Sequence, residues 1–240
     1  MPAPALDFWF EFASIYSYPA AMRIGTLAAA SGVAVRLRPF LLGPILRAQG
    51  WDTSPFVLYP QKGRYAWRDV ERVCAELSLP FRRPEAFPQS GLLAARVAFL
   101  GSEQQTPWAK DFCRAVYCAE FAEGRRIDRS ETIRDILLEL KVDAEDILAA
   151  AQTNETKDKL RAQTAHAEQL GIFGAPTFIT QDGEMFWGER PPGRRNRLGQ
   201  AGQLERYFRH CEERSDEAIQ LLAQANWIAS LSLAMTRFLR

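Results

Sequence analysis

The first 38 residues contain two strand-like segments with one helix-like segment between them, and this order constrains the fold more than any other feature. Residues 6–12 are mostly aromatic, residues 18–27 follow Ser17 and carry an early proline, and residues 33–38 alternate apolar and basic side chains. A strand, a helix and a strand within roughly 30 residues predict two parallel strands joined by a right-handed crossover. The chain therefore begins as an α/β domain.

A long helical segment separates this unit from a final pair of strands. Stretches rich in helix-forming residues follow one another through the middle of the chain, at residues 67–77, 92–100, 108–123, 130–140 and 144–169. Strand signals return at residues 176–180 and 184–188, on either side of an Asp-Gly turn, and predict a hairpin. This order is typical of a thioredoxin-like fold. The predicted fold class is α/β, a thioredoxin-like domain with a large helical insertion.

The same pattern divides the chain into three parts. Residues 1–62 and 172–211 form the predicted thioredoxin-like domain, residues 63–171 the helical insertion domain, and residues 212–240 an atypical C-terminal tail. A thioredoxin-like sheet needs a closing helix over one face, and residues 199–211 are the candidate for it.

The charge balance and the cysteine content exclude several classes of protein. Thirty Lys and Arg residues against 29 Asp and Glu residues leave a net charge of +1, so no whole-molecule field attracts nucleic acid or anionic lipid. The four cysteines form no C-x-x-C pair, and two histidines are too few for a metal site. We expect neither a nucleic acid, a membrane nor a metal as partner, and any small anion that the protein binds must be held by local contacts.

Two segments bear on localisation. Residues 1–7 have neither the basic segment nor the apolar core of a signal peptide, which predicts a cytoplasmic protein. Residues 218–236 carry no formal charge, but polar amide and hydroxyl side chains interrupt them. They predict a packed or amphipathic helix rather than a membrane span.

The turn after the first strand reads Ser14-Ile15-Tyr16-Ser17. Thioredoxin-like redox proteins carry C-x-x-C at this place, because the end of the following helix lowers the pKa of a thiol. Two hydroxyls cannot form a disulfide, so thiol–disulfide exchange is excluded at this turn, although the helix end can still stabilise a sulfur that belongs to another molecule. Both serines can equally be helix caps. Of the two, Ser17 is better placed as the N-cap, and Ser14 lies where a ligand can approach.

Four segments together resemble the glutathione-dependent 2-hydroxychromene-2-carboxylate isomerases, which are relatives of kappa-class glutathione transferases and DsbA-like oxidoreductases. The resemblance rests on residues 7–18, 60–65, 174–178 and 186–188, in that order and at that spacing.

The resemblance implies a cofactor, glutathione, and a role for four residues. Ser14 is the implied catalytic residue, whose hydroxyl donates to the glutathione thiolate. Lys62, Ala175 and Pro176 are the implied cofactor-binding residues. Pro176 is expected to follow a cis peptide bond, with the Ala175 backbone pairing with the cysteinyl backbone of glutathione.

The implied reaction is the isomerisation of 2-hydroxychromene-2-carboxylate to trans-o-hydroxybenzylidenepyruvate, a step of aromatic catabolism. Two other functions stay open, a kappa-like glutathione transferase acting on electrophiles and a non-enzymatic thioredoxin-like binding protein. A homodimer also stays open. The side chains of Trp51, Phe56, Tyr59 and Trp67 either line a site for a flat aromatic substrate or pack the junction between the two domains.

The chain departs from the family pattern after Gly188. Family members usually continue with Gly-x-Asp-Arg, whereas Glu189 and Arg190 stand one place early here and two prolines follow. Residues 210–220 and 232–237 resemble translated bacterial palindromic repeat elements. This resemblance suggests a frameshifted or repeat-invaded C-terminus with impaired glutathione binding.

The absence of C-x-x-C at the turn generates a first prediction. The protein should neither reduce insulin disulfides nor oxidise dithiols, because Ser14 and Ser17 cannot cycle between thiol and disulfide. A turbidity assay with insulin and a thiol oxidation assay measure the two activities. Catalytic turnover in either assay would contradict the interpretation of the turn.

Overall fold

The computed structural model describes residues 4–188, and its centre is a sheet of four strands in the order β2-β1-β3-β4. Strand β1 pairs in parallel with β2 and antiparallel with β3, which in turn pairs antiparallel with β4. Their bounds are Ala5–Phe10, Ala34–Pro39, Thr177–Thr180 and Met185–Trp187. The predicted parallel crossover and the predicted hairpin are both confirmed.

The helices of the described part follow the expected order along the chain. Helix α1 joins β1 to β2, and the other eight lie between β2 and β3. They are α1 Ser17–Ala30, α2 Leu42–Ala48, α3 Pro55–Leu58, α4 Pro60–Glu76, α5 Leu92–Glu103, α6 Ala109–Cys118, α7 Ser130–Glu139, α8 Ala144–Gln152 and α9 Asn154–Gln169. A single π-helical turn, Ala119–Glu123, continues α6.

The structure differs from the predicted helices in several places, since the short helices α2 and α3 were not predicted and two other helices have different bounds. The predicted helix over residues 144–169 is two helices, because Thr153 adopts an extended conformation and its hydroxyl accepts a hydrogen bond from the Thr156 N–H. Helix α4 begins at Pro60, seven residues earlier than the first strongly apolar position suggested. Proline fits the first turn of a helix, since its missing N–H has no intrahelical partner there.

Alternate side chains of β1 enter two different apolar cores. Phe8 and Phe10 belong to the larger core, where the Phe8 ring lies 5.0 Å from the Phe10 ring and 5.2 Å from that of Phe178. Trp9 points to the opposite face and packs at 6.1 Å against the ring of Phe40. A strand that is buried on both faces needs this nearly continuous run of large apolar residues.

The helices between β2 and β3 pack directly onto the sheet. The Ser102 hydroxyl on α5 donates to the Leu37 carbonyl of β2 at 2.6 Å, and the Leu41 N–H donates to the Thr164 hydroxyl of α9 at 3.2 Å. The larger core therefore contains residues from both predicted domains. The domain boundaries at residues 63 and 171 stay a prediction.

The altered segment at Glu189 and Arg190, the proposed closing helix over residues 199–211 and the tail over residues 212–240 lie outside the described residues. Within residues 4–188, no helix is both long enough and apolar enough to cross a membrane.

Candidate functional site

The turn between β1 and α1 places Ser14 at the end of the central strand. The Ser14 N–H donates to the Glu11 carbonyl at 3.1 Å, and the Ser17 N–H donates to the Ser14 carbonyl at 3.1 Å. These two bonds fold the chain tightly between the strand and the helix. Ser14 stays half-buried at the surface of this turn, whereas Ser17 is completely buried.

The predicted roles of the two serines as caps are wrong in one respect. Ser17 is the first residue of α1, not its N-cap, and no side chain caps the helix from the N-cap position at Tyr16. The Ser14 hydroxyl oxygen instead accepts the Ser17 N–H at 3.3 Å. The Ser17 N–H is therefore shared between the carbonyl oxygen and the hydroxyl oxygen of Ser14, as is common for donors at a helix terminus.

Ser14 also contacts the loop before β3, although 161 positions separate them. Its hydroxyl donates to the Ala175 carbonyl at 2.7 Å. The Ala175–Pro176 peptide bond is cis, which confirms that prediction. The structure thus brings together Ser14, Ala175 and Pro176, three of the four residues predicted for the site.

Backbone and side-chain contacts hold this loop in place. The Thr177 hydroxyl donates to the Gly174 carbonyl at 2.9 Å, and the Gly188 N–H donates to the Pro176 carbonyl at 3.0 Å. The register of β1 with β3 ends at the pair Trp9–Thr177, so Ala175 lies beyond the last paired position. An extended ligand can approach its backbone along this edge.

An aromatic surface beside the loop was missed by the sequence analysis. A Cβ atom on Gly174 would come within 2.1 Å of Trp187 Nε1, so only glycine allows the indole to pack so closely there. Phe173, with 48% of its surface exposed, lies 5.1 Å from the Trp187 ring. The Phe-Gly-Ala-Pro sequence and the Trp187 strand were visible, but nothing in them indicated that they meet.

Lys62, the fourth predicted residue, lies on helix α4 rather than in the turn or the loop before β3. It is exposed in the first turn of α4, with Nζ 5.5 Å from the centre of the Tyr59 ring. Its helix does adjoin the turn, because the Tyr16 hydroxyl donates to Asp69 at 2.9 Å and the Tyr16 ring lies 6.3 Å from that of Phe56.

Of the four aromatic residues considered for a substrate site, Trp67 and Tyr59 have clearly different surroundings. Trp67 is buried and packs edge-on against Phe87 at 4.8 Å, so it belongs to the core. Tyr59 is half exposed on the same surface as Lys62. Packing therefore explains Trp67, while Tyr59 stays available to a ligand.

Two desolvated carboxyl groups near the turn were also missed, one on the half-buried Glu11 and one on Glu120. The Glu11 carboxylate accepts the Leu42 N–H at 2.6 Å, and burial raises its pKa to about 7. Glu120, in the π-helical turn, is fully buried, and within the described residues neither of its oxygens has a hydrogen-bond partner. Burial, and then the charge of Glu11, raise the Glu120 pKa well above its usual value. The only feature of the sequence that could have indicated these groups is the occurrence of Glu11 within a run of aromatic residues.

Tyr117 links the core to these acids. Its hydroxyl donates to the Glu11 carbonyl at 2.9 Å, on the same oxygen that accepts the Ser14 N–H. A substitution at Tyr117 would therefore affect the position of Ser14 through the Glu11 carbonyl, to which both residues donate a hydrogen bond.

The cysteines of the described residues are not activated. Burial raises the pKa of Cys74 to about 12 and raises that of Cys113 further, while burial and the nearby Glu123 raise that of Cys118. A thiol whose pKa is raised is a poor nucleophile at neutral pH. A reactive thiolate at the Ser14 turn would have to come from a ligand.

Comparisons with known proteins identify the same fold. The family model of the DsbA-like thioredoxin domain matches residues 5–194. The 2-hydroxychromene-2-carboxylate isomerase of Sphingobium xenophagum is 27% identical over 184 residues, which cover 76% of this chain and 91% of that protein. Glutathione S-transferase kappa 2 of Caenorhabditis elegans is 24% identical, over 74% of this chain and 81% of that one.

A solved structure of a 2-hydroxychromene-2-carboxylate isomerase matches with a TM-score of 0.67 and 26% identity, covering 77% of this chain and 88% of that one. These findings confirm the resemblance and the fold class that the sequence predicted.

The raised pKa of Glu11 predicts a pH dependence of stability. Folding moves this pKa from 4.5 to about 7, so between these values the folded protein binds more protons than the unfolded chain. The free energy of unfolding should therefore fall as pH rises from 4.5 to 7, by up to about 3 kcal/mol from this group. Glu11→Gln should remove that part of the fall, as measured by urea unfolding at pH 5 and pH 8.

Glu76→Gln, at an exposed position near the end of α4, is the matched control and should follow the wild-type pH dependence. Parallel curves for the wild type and Glu11→Gln would contradict the burial of an acid at the turn.

Proposed function

The chain belongs to the family of DsbA-like thioredoxin-domain proteins, and we propose that it is a glutathione-dependent isomerase of 2-hydroxychromene-2-carboxylate. The product of the proposed reaction is trans-o-hydroxybenzylidenepyruvate. The observation that supports the proposal most is the Ser14 hydroxyl, 2.7 Å from the Ala175 carbonyl and adjacent to the cis-proline loop. The arrangement joins a hydroxyl donor, a helix N-terminus and a stretch of backbone that lies beyond the last residue pair between β1 and β3.

Each of the three features suits one part of glutathione. The Ser14 hydroxyl is a donor for the sulfur, and a charge-assisted hydrogen bond of roughly 1.5–3 kcal/mol would lower the pKa of a bound thiol by about one to two units. Helix α1 adds its positive end, with no acidic side chain in its first turn to oppose it. Ala175, beyond the last paired position of β3, offers its backbone to the cysteinyl residue.

The anionic ends of the ligands need positive charge. Glutathione carries two carboxylates and the substrate one, and Lys62 lies exposed on the helix that packs against Tyr16. We assign Lys62 to a carboxylate of glutathione, because an exposed ammonium group on this helix can form a charge-assisted hydrogen bond with an anion.

The proposed chemistry is addition followed by elimination. The thiolate of glutathione forms a C–S bond with the conjugated system of the ring-opened substrate, and the electron pair of the double bond moves into an enolate. Rotation about the resulting single bond and loss of the same thiolate then give the isomer. No oxidant or reductant is consumed. The protein supplies the hydroxyl that stabilises the thiolate before addition and after elimination.

A kappa-like glutathione transferase is the second candidate, since a kappa-class relative matches over a similar share of the chain. The two activities separate in a direct assay with glutathione. An isomerase converts the chromene carboxylate without consuming glutathione, whereas a transferase consumes it against a chloronitrobenzene. A protein that binds glutathione and does neither would be the non-enzymatic thioredoxin-like binding protein. We place the reaction in the cytoplasm, where glutathione is reduced.

Substitution of the two serines tests the assignment of Ser14. Ser14→Ala should fold and lose roughly 10- to 100-fold in isomerase activity, because it removes one hydrogen bond to a charged sulfur. Ser17→Ala, in the same turn but completely buried, is the control and should keep activity within a few-fold of wild type. Steady-state kinetics and thermal melting measure the two effects. Equal losses of activity at unchanged stability would contradict the assignment.

A further inference from the structure

We propose that Phe173 and Trp187 form the surface that binds the aromatic ring of the substrate, and that this contact makes the site prefer aryl substrates over alkyl ones. This inference rests on the proposed function, because it assumes that glutathione adds to the substrate at the Ser14 turn. It assigns specificity-determining residues to the second ligand, the substrate, for which the proposed function names none.

The chemistry of the addition limits where the aromatic ring can lie. In the ring-opened substrate, a carbon–carbon double bond joins the aromatic ring to a 2-oxo acid. The thiolate must add to the carbon next to the ring, because only then does the electron pair of the double bond move onto the ketone oxygen as an enolate. The new C–S bond places the ring two bonds from the sulfur. The ring must therefore contact protein close to Ser14 and Ala175.

The sheet brings Phe173 and Trp187 to the end where Ser14 lies. Strand β1 ends there and leads into the Ser14 turn, β3 begins there at Thr177, and β4 ends there at Trp187. Thr177 pairs with β1 on one side and with Trp187 on the other. Phe173 precedes Ala175 by two residues, in the loop that Ser14 contacts. Both aromatic side chains thus belong to the same end of the sheet as the proposed position of the sulfur.

Contacts with the loop hold the two rings in place. Their centres are 5.1 Å apart, and their planes are inclined by 50°. The Trp187 indole packs against Gly174, where a Cβ atom would come within 2.1 Å of Nε1. The Gly174 carbonyl in turn accepts the Thr177 hydroxyl at 2.9 Å. A surface that is already ordered loses little conformational entropy when a ligand binds to it.

The exposure of Phe173 is unusual for this protein. Among residues 4–188 it is the only phenylalanine that is exposed, with 48% of its surface accessible. Phenylalanine is one of the residue types that are most often fully buried, so an exposed one beside a site calls for a partner. An aromatic ring of the substrate can pack against it edge-on or in an offset stack.

Tyr59 and Tyr65 are the other exposed aromatic residues in the part of the chain that the structure describes, at 50% and 52%. They lie at the start of α4, and the Lys62 ammonium is 5.5 Å from the centre of the Tyr59 ring. This region carries positive charge, which suits the anionic ends of the ligands. A neutral ring that is two bonds from the sulfur fits the surface of Phe173 and Trp187 better.

Calorimetric titration with S-benzylglutathione and S-methylglutathione tests the inference. S-benzylglutathione carries an aromatic ring two bonds from the sulfur, as the proposed adduct does. The wild type should bind it at least about tenfold more tightly than S-methylglutathione, and Phe173→Ala should lower this ratio to about threefold. Phe173→Tyr keeps the ring and should keep the ratio. Leu138→Ala, which removes an exposed apolar side chain from α7, is the control and should also keep it.

Steady-state kinetics give a second readout. Phe173→Ala should raise KM for the chromene carboxylate by about five- to tenfold, because the lost contact belongs to the substrate ring. KM for glutathione should stay close to the wild-type value. A purely structural defect would raise both values or lower kcat alone.

The possible failures give different results. If both S-substituted ligands bind and Phe173→Ala keeps the wild-type ratio, the ring binds elsewhere and this inference is wrong. If Phe173→Ala lowers the melting temperature and leaves the ratio unchanged, the surface packs against another part of the chain, which also overturns the inference. If neither these ligands nor glutathione itself binds the wild type, the proposed function is wrong, and the inference falls with it.

Discussion

The rest of the structure depends on strand β1, because both faces of this strand are buried. Phe8 and Phe10 enter the larger core, and Trp9 enters the smaller one on the other side. Full burial of a large apolar side chain contributes about 1.5–3 kcal/mol, so the loss of any one of these side chains would be large beside a net domain stability of about 5–15 kcal/mol. Its position is fixed by β2 on one edge and β3 on the other. The turn that follows β1 is therefore also fixed in position, and the loop before β3 is held against this turn.

The packing around the turn also explains why two nearby glutamates have raised pKa values. Glu11 leaves the strand where it meets α2, and its carboxylate is desolvated although it accepts the Leu42 N–H. Glu120 lies in a π-helical turn, where a local change in helix geometry moves a side chain out of the regular pattern. A charge on either acid disfavours charge on the other. Ionisation of either glutamate therefore destabilises the folded protein. It also places negative charge close to a site proposed for a thiolate.

Much of this architecture could be predicted from the sequence because local patterns determine it. The aromatic run of β1, the proline near the start of α1 and the Asp-Gly hairpin each specify a structure within a few residues. The cis peptide before Pro176 was predictable only through the family resemblance, since most X-Pro bonds are trans. The features that the sequence did not predict depend on the three-dimensional geometry of turns and on contacts between distant segments. Ser17 has the residue type of a cap, but the geometry of the turn gives that role to Ser14, and no periodicity places Trp187 against Gly174.

The central claim is that a turn without a thiol of its own holds the thiolate of a ligand. Ultraviolet absorbance of the thiolate, recorded during a pH titration of glutathione bound to the protein, tests it most directly. The account predicts that the bound thiol ionises about one to two units below the value of about 8.5 for a free thiol, and that Ser14→Ala reverses most of this shift. A bound thiol that ionises like the free one, or a shift that survives in Ser14→Ala, would contradict the claim.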